Sequence, residues 1–425
     1  MRLLTATILS LLAAPVFAAD LPKAVVPEGV GVNIHFTRGH EADLDAIAAA
    51  GFRWVRMDFT WSRIERSARQ FDWTDYDVLL EDLQKRELRA IFILDYSNPL
   101  YEKKAAGKNP QYGKRVQRTM APQHPESIAA FARWAAAAAG RYHDRPILWE
   151  IWNEPNITFW HPRPEVRQYI TLATAAARAI RRADPRATIV APATSRFDWK
   201  FLEACFAAGM LEQIDAVSVH PYRRAAPETA SADYARLRKL IAQHAPAAKK
   251  NMPILSGEWG YSTCTKPGAG LPRKVQAAYL VRQQLVNLLN KVPLSIWYDW
   301  QDDGPDPLER EQNFGTVTHA HKPKPSYLAL RTFTGQLAGY RIERRLPVAS
   351  TDDYLLLCVN ARGAKKLVAW TTGKDHAVTI PLDTLPAKAF EAVDMQGVAV
   401  RIAHKNSNGQ LTLEVTGGPS YVIFK

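Results

Sequence analysis

The chain has 425 residues, with 55 lysines and arginines against 42 aspartates and glutamates, a formal charge of +13. That length admits one barrel-sized domain and a smaller companion. Cys205, Cys264 and Cys358 contain no CxxC pair, which excludes a disulfide scaffold and a cysteine-rich metal site and leaves room for one bridge. The basic residues are dispersed and form no recognition motif, so the charge fits a polyanionic partner or a solvated surface and does not argue for nucleic acid.

Met1-Arg2, an apolar run from Leu3 to Phe17 and the small residues Ala18 and Ala19 have the order of a secretory signal, cleaved after Ala18. The run is shorter than the roughly 20 apolar residues that span a bilayer, and no later stretch is apolar enough to cross one. The expectation is a monomer without stable membrane insertion, periplasmic or secreted, carrying 54 basic residues (55 less Arg2) against 42 acidic ones.

From about Val30 to Tyr298 one phrase repeats: a short apolar strand, a polar loop, then an amphipathic helix ending near Gly or Pro. Eight strands are predicted, at Val30–His35, Arg53–Asp58, Ala90–Asp95, Ile147–Trp152, Thr188–Pro192, Ala216–His220, Ile254–Glu258 and Leu294–Asp299. Leu44, Ile47 and Ala48 form one helical stripe stopped by Gly51. Tyr76, Leu79, Leu80 and Leu83 form another, opened by Thr74 and Asp77 as a capping box. Eight such units over roughly 270 residues fit a (β/α)8 barrel, within the α/β class. After a last helix around Ser326–Leu337 the texture turns to short alternating runs, such as Leu411, Leu413 and Val415 after Asn406-Ser407-Asn408-Gly409. The predicted organisation is a signal at 1–18, a barrel at 19–338 and a small all-β sandwich at 339–425, with Leu21–Glu28 a candidate to complete the sandwich.

In such a barrel the side chains at the C-terminal strand ends share one mouth. The fourth strand runs into Trp152-Asn153-Glu154-Pro155-Asn156 and the seventh into Gly257-Glu258-Trp259-Gly260, each delivering a glutamate. Two carboxyl groups facing each other across a glycosidic bond can perform the whole hydrolysis, one protonating the leaving oxygen while the other attacks the anomeric carbon. A separation of roughly 5 Å retains configuration, and one nearer 6.5–9.5 Å inverts it. Glu150, inside the fourth strand, fits a structural ion pair instead.

Trp-Asn-Glu-Pro after the fourth strand with a glutamate ending the seventh resembles clan A of the glycoside hydrolases. Arg56-Met57-Asp58-Phe59, Trp61-Ser62-Arg63-Ile64-Glu65, Phe71-Asp72-Trp73, Gly257-Glu258-Trp259-Gly260-Tyr261 and the run from Trp297 to Gly304 together resemble glycoside hydrolase family 39. The nearest type within it is the bacterial exopolysaccharide endoglycosidases. The likeness covers about Asn33 to Tyr327. It implies a retaining enzyme with Glu154 as acid/base and Glu258 as nucleophile. It further implies that Asn153 bonds the sugar hydroxyl beside the reacting carbon and that Arg56 keeps the nucleophile ionised. Tyr222 would hydrogen-bond the nucleophile, His220 would line the floor, and Trp297 would be an aromatic platform, with Trp300, Trp160 and Trp259 as weaker candidates. His35, Asp95 and Asp299, also at strand ends, are expected to contact hydroxyls or orient the glutamates.

The third-strand loop from Tyr96 to about Gln123 far exceeds the usual 2–6 residues. It carries Lys103, Lys104, Lys108, Lys114, Arg115 and Arg118, which as a lid over the mouth would suit an acidic polysaccharide and otherwise form a solvated, mobile flap. No metal or cofactor is required, and His35, His220, His319 and His321 lack ligand-like spacing. Two other readings stay open: an exo-acting β-xylosidase-like enzyme, and a barrel that binds polysaccharide without cleaving it.

Overall fold

The structure, a computed structural model, describes residues 21–381, 390–400, 403–405 and 410–424. The expected signal segment and the turn Asn406–Gly409 lie outside these residues. Eight parallel strands close on themselves: β1 (Val30–Asn33), β2 (Trp54–Thr60), β3 (Arg89–Asp95), then, past the hairpin β4 (Lys104–Lys108) and β5 (Arg115–Thr119), β6 (Ile147–Ile151), β7 (Thr188–Ser195), β8 (Ala216–His220), β9 (Ile254–Trp259) and β10 (Ser295–Trp297). Helices α1 (Glu41–Ala49), α2 (Trp61–Ile64), α3 (Thr74–Gln84), α4 (Pro125–Arg141), α5 (Val166–Ala183), α6 (Trp199–Ala207), α7 (Met210–Gln213), α8 (Ala230–His244), α9 (Arg273–Leu289) and α10 (Pro325–Gln336) connect them. This is the (β/α)8 barrel expected, with all eight predicted strands present.

Gly51 ends the first unit at φ +88°, a left-handed backbone that glycine adopts without a Cβ penalty. In α3, Tyr76, Leu79, Leu80 and Leu83 are buried as their spacing requires. The Thr74–Asp77 capping box does not form. Thr74 is the first helical residue, its N–H donates to Asp72 Oδ1 at 3.1 Å, and Asp77 is taken by Arg141 and Tyr142.

Within the barrel, alternation sends every second strand residue inward. The lower interior is apolar, built from Trp54, Ile91, Leu148, Val190, Ala216, Leu255, Leu294 and Ile296. Leu21 packs against this layer, so the segment after residue 20 meets the base of the barrel. Val26 exchanges backbone hydrogen bonds with Gly339 and Tyr340, and among the described residues the segment adds no strand to the β domain. Two positions above three of these apolar residues stands a polar one, Trp54 leading to Arg56, Leu148 to Glu150 and Ala216 to Ser218.

The chain then forms two antiparallel sheets. One orders β11 (Tyr340–Arg345), β12 (Asp353–Asn360), β13 (Lys365–Thr371), β18 (Ser420–Phe424) and β15 (Phe390–Val393). The other orders β14 (His376–Pro381), β17 (Gln410–Val415) and β16 (Ala403–Lys405). Leu355 and Leu357 join Leu411, Leu413 and Val415 in a core between the sheets, while the alternate residues Leu356 and Cys358 join the barrel's core. Burial on both faces explains why β12 reads as a continuous apolar run rather than an alternating one. The contact is also polar: Trp370 Nε1 donates to Glu228 Oε1 at 2.8 Å, and Arg282 grips Glu228 with two bonds of 2.7 Å. Cys205, Cys264 and Cys358 are buried and unbridged. Among the described residues no helix is long and apolar enough to cross a membrane.

Candidate active site

Arg56, on β2 and 1% exposed, is the hub of the barrel mouth. Its guanidinium donates to Glu150 Oε1 through two nitrogens, to Glu258 Oε2 at 2.6 Å, to Asn33 Oδ1 at 3.1 Å and to Asn153 Oδ1 at 2.9 Å. Glu150 also accepts from Ser218 Oγ at 2.7 Å, so its carboxylate is fully paired and structural, as its place inside the strand suggested.

Two local irregularities bring the glutamates over this hub. Counting alternately from the inward Leu255, Gly257 faces in and Glu258 should face out. Between β10 and β9, however, Ser295 pairs with Ser256 and Trp297 with Trp259, so β9 carries one residue more than its neighbour. Such a bulge re-aims a side chain, and here it turns Glu258 to the mouth. Gly257 must be glycine, because a Cβ there would stand 2.3 Å from Ser218 Oγ and 3.0 Å from Glu150 Oε2. On the opposite wall, Trp152 and Glu154 adopt φ of +68° and +46°, and the Glu154 N–H donates to Ala193 O at 3.0 Å. Non-glycine residues held in this region concentrate at functional sites.

Glu258 Oε1 accepts from Tyr222 Oη at 2.7 Å, and Glu154 Oε1 lies 2.9 Å from His220 Nδ1. One carboxylate oxygen from each glutamate and a His220 ring nitrogen all lie within 4.8 Å of one another. Burial alone would raise the pKa of Glu258. The positive field of His220 and Arg56, with the hydrogen bonds from Tyr222 and Arg56, outweighs it and holds the carboxyl below the usual range. Asn153 Oδ1 is occupied by Arg56 and one N–H of its Nδ2 donates to Tyr96 Oη at 3.0 Å, which fixes the amide at the cleft wall with one N–H unspent.

The glutamates sit in a cleft of about 580 Å³. His35, Arg56, Asn153, Glu154, Tyr222 and Glu258 line it as expected, joined by Asn33, Asp58, Tyr96, Phe159, Tyr298 and Phe314, which the sequence reading did not point to. Asp58 was within reach of that reading, two residues beyond Arg56 on the same face of β2.

Several expectations are corrected. Trp297 is fully buried and packs outward against Tyr261, because alternation from the inward Ile296 turns Trp297 to the helices and Tyr298 to the cleft. Trp300 donates Nε1 to Asp43 Oδ1 at 2.9 Å beneath the surface, and Trp160 and Trp259 are buried in the core. His220 is wholly buried beneath Glu154 and touches no open space. Asp95 is buried beside Asp58, where burial and the neighbouring Asp58 charge push its pKa well above the usual range. Asp299 is buried behind His35, with Oδ2 lying 3.6 Å from His35 Nε2. Burial pushes Asp299 up to about 7 despite the histidine. Against the desolvation of its ring, the facing Asp299 carboxylate raises His35 to about 9. His35, Asp299 and Asp303 also bring one potential metal-ligating atom each within 4.8 Å, a grouping their sequence spacing conceals.

The long basic loop forms a hairpin, β4 pairing with β5 from Lys104–Thr119 to Lys108–Arg115. Lys103, Lys104, Lys108, Lys114 and Arg115 are exposed and do not line the cleft, whereas Arg118 does, together with the tip residues Asn109, Pro110 and Gln111.

The family model for cellulases (glycosyl hydrolase family 5) matches residues 24–304. A β-xylosidase of Caldicellulosiruptor saccharolyticus is 25% identical over 321 residues, 69% of this chain, and the match spans only 62% of that relative's length. Among solved structures, a family 39 glycoside hydrolase from Bacteroides cellulosilyticus WH2 superposes with a TM-score of 0.79 at 22% identity, over 93% of this chain and 81% of that one. A β-xylosidase from Caulobacter crescentus CB15 superposes with a TM-score of 0.67 at 16% identity, over 95% and 97%. At these identities the structural likenesses establish the fold.

Proposed function

Because the chain belongs to the cellulase family, glycosyl hydrolase family 5, and is with it a clan A glycoside hydrolase, we propose that it cleaves a polysaccharide by double displacement on Glu154 and Glu258. The spacing of the two carboxylates carries this reading: oxygens within 4.8 Å leave no room for the water that an inverting enzyme inserts. Glu258, kept ionised by Arg56 and Tyr222, attacks the anomeric carbon. Glu154 gives its proton to the departing glycosidic oxygen. A glycosyl ester on Glu258 results, and water then enters, loses a proton to Glu154 and releases the sugar with its configuration retained. Asn153 supplies an N–H to the hydroxyl beside the reacting carbon, a bond that tightens as positive charge develops on the sugar.

The substrate proposed is a bacterial exopolysaccharide, cleaved internally outside the cytoplasm in the manner of the PslG type that the strand-end motifs resemble. A cleft of this volume accommodates more than a single ring. Removal of terminal sugars is the second reading. It is favoured by the β-xylosidase relative and by the hairpin tip at Asn109–Gln111, which lines the same cleft as Arg310, Glu311 and Phe314 and narrows that end. Polymer sizing during hydrolysis separates the two. Internal cleavage collapses chain length before monosaccharide appears, and terminal trimming releases monosaccharide while length persists. Glu154→Gln and Glu258→Gln should each abolish either pattern, and undiminished cleavage by either variant refutes the proposal.

A further inference from the structure

We propose that the β4–β5 hairpin builds a subsite for a carboxylate-bearing sugar, a uronic acid unit, held by Arg118. The inference rests on the polysaccharide hydrolase reading above and names a substrate class for it. Along β5, Arg115 and Gln117 face solvent, while the alternate residues Val116 and Arg118 face inward and are part-buried. Arg118 lies with its guanidinium carbon 5.8 Å from the centre of the Tyr96 ring, and Tyr96 Oη is the group that Asn153 bonds. A sugar held by Arg118 therefore sits beside the residues next to Glu154. Its Nη1 is shut off from solvent and has no hydrogen-bond partner among the described residues. A guanidinium stays charged and offers five N–H donors in a planar fork; the buried Nη1 gives no bond that would tie the fork to the protein, and the part of Arg118 that borders the cleft calls for an anionic acceptor. The planar carboxylate of a uronic acid meets that fork with two parallel bonds.

The other cations of the cleft do not take this role. Arg56 is committed to Glu150 and Glu258, His35 faces the Asp299 carboxylate, Arg310 is committed to Glu311 at 2.6 Å, and Arg196 is exposed. The outward lysines of the hairpin attract polyanions generally without reading a single ring, because their charges stand in solvent and are screened by salt.

The test compares methyl β-D-glucuronide with methyl β-D-glucoside, which differ only in the carboxylate, by ligand-observed NMR titration of the full-length protein at moderate salt. Wild type should bind the glucuronide at least about tenfold more tightly. Arg118→Gln should erase that preference while keeping the wild-type unfolding midpoint. Lys103→Ala, Lys104→Ala and Lys108→Ala combined should leave it intact. Equal binding of the two sugars, no binding of either, a preference that survives Arg118→Gln, or one lost only with the three lysines overturns the subsite. Because no bond is cleaved, the result is independent of Glu154 and Glu258: inactive glutamate variants that still prefer the glucuronide, or an active enzyme without the preference, separate the two proposals.

Discussion

Replacing Arg56 by Met removes one cation from a site that pairs it with two carboxylates. Glu150 is 0% exposed and would keep only Ser218, and Glu258 would keep only Tyr222. Removing one partner of a buried ion pair costs about 3–5 kcal/mol, because a desolvated charge is left uncompensated. Arg56→Met should lose about that much stability in urea unfolding, provided the variant still folds. Glu258 should titrate higher. A carboxyl whose native pKa is held down contributes stability above its unfolded value, and that contribution is lost as pH falls through the native one. Without Arg56 the acid limb of kcat/KM should therefore move to higher pH. Adding Glu150→Leu should recover part of the stability, since the burden of the unpaired Glu150 disappears, but should not restore the acid limb, which belongs to Glu258. A loss below about 1 kcal/mol together with an unmoved acid limb would refute the assignment of Arg56 as the shared counter-ion.

Tyr222→Phe removes a 2.7 Å hydrogen bond to the ionised Glu258 with little change of shape. A bond to a charged acceptor is worth about 1.5–3 kcal/mol, so kcat/KM should fall roughly 10- to 150-fold with the unfolding midpoint almost unchanged, and an unaltered rate would count against the role. Asp299→Asn addresses pH. Burial lifts Asp299 from its ordinary 3.8 to about 7, so the stability it allows is complete below 3.8 and declines as pH rises through about 7. The amide escapes this decline. Relative to wild type, its stability should rise between pH 4 and 7, by up to about 4 kcal/mol, and level off above, and a pH-independent difference would show that Asp299 is not titrating there.

The barrel was legible because each of its eight units repeats the same strand, loop and helix phrase, with Gly51 a clear stop. The glutamates were legible through their flanking Trp-Asn and Gly-Glu-Trp motifs, not through periodicity. Counting by twos from Leu255 sends Glu258 the wrong way, and the bulge that corrects it depends on register with β10. The same counting from Ile296 would have moved the aromatic surface from Trp297 to Tyr298. Family resemblance pointed to the tryptophan instead, and the side-chain direction decided otherwise. The hairpin escaped notice because Lys-Ala-Ala-Gly-Lys and Arg-Val-Gln-Arg-Thr have little apolar alternation, and their pairing is fixed by backbone bonds and by His161, whose Nε2 lies 2.8 Å from Ala105 O. Burial of His220, Asp95 and Asp299 beneath the surface depends on which neighbour stands in front, which no single strand records.

The most direct test of the account is to trap the covalent intermediate. The enzyme is incubated with a panel of 2,4-dinitrophenyl 2-deoxy-2-fluoro glycosides, whose leaving group needs no protonation by Glu154, and is then digested for mass spectrometry. The account expects the added glycosyl mass on the peptide containing Glu258, absent in Glu258→Gln and present in Glu154→Gln. Glycosylation of any other residue, or turnover of an accepted sugar with inversion and no adduct, contradicts it.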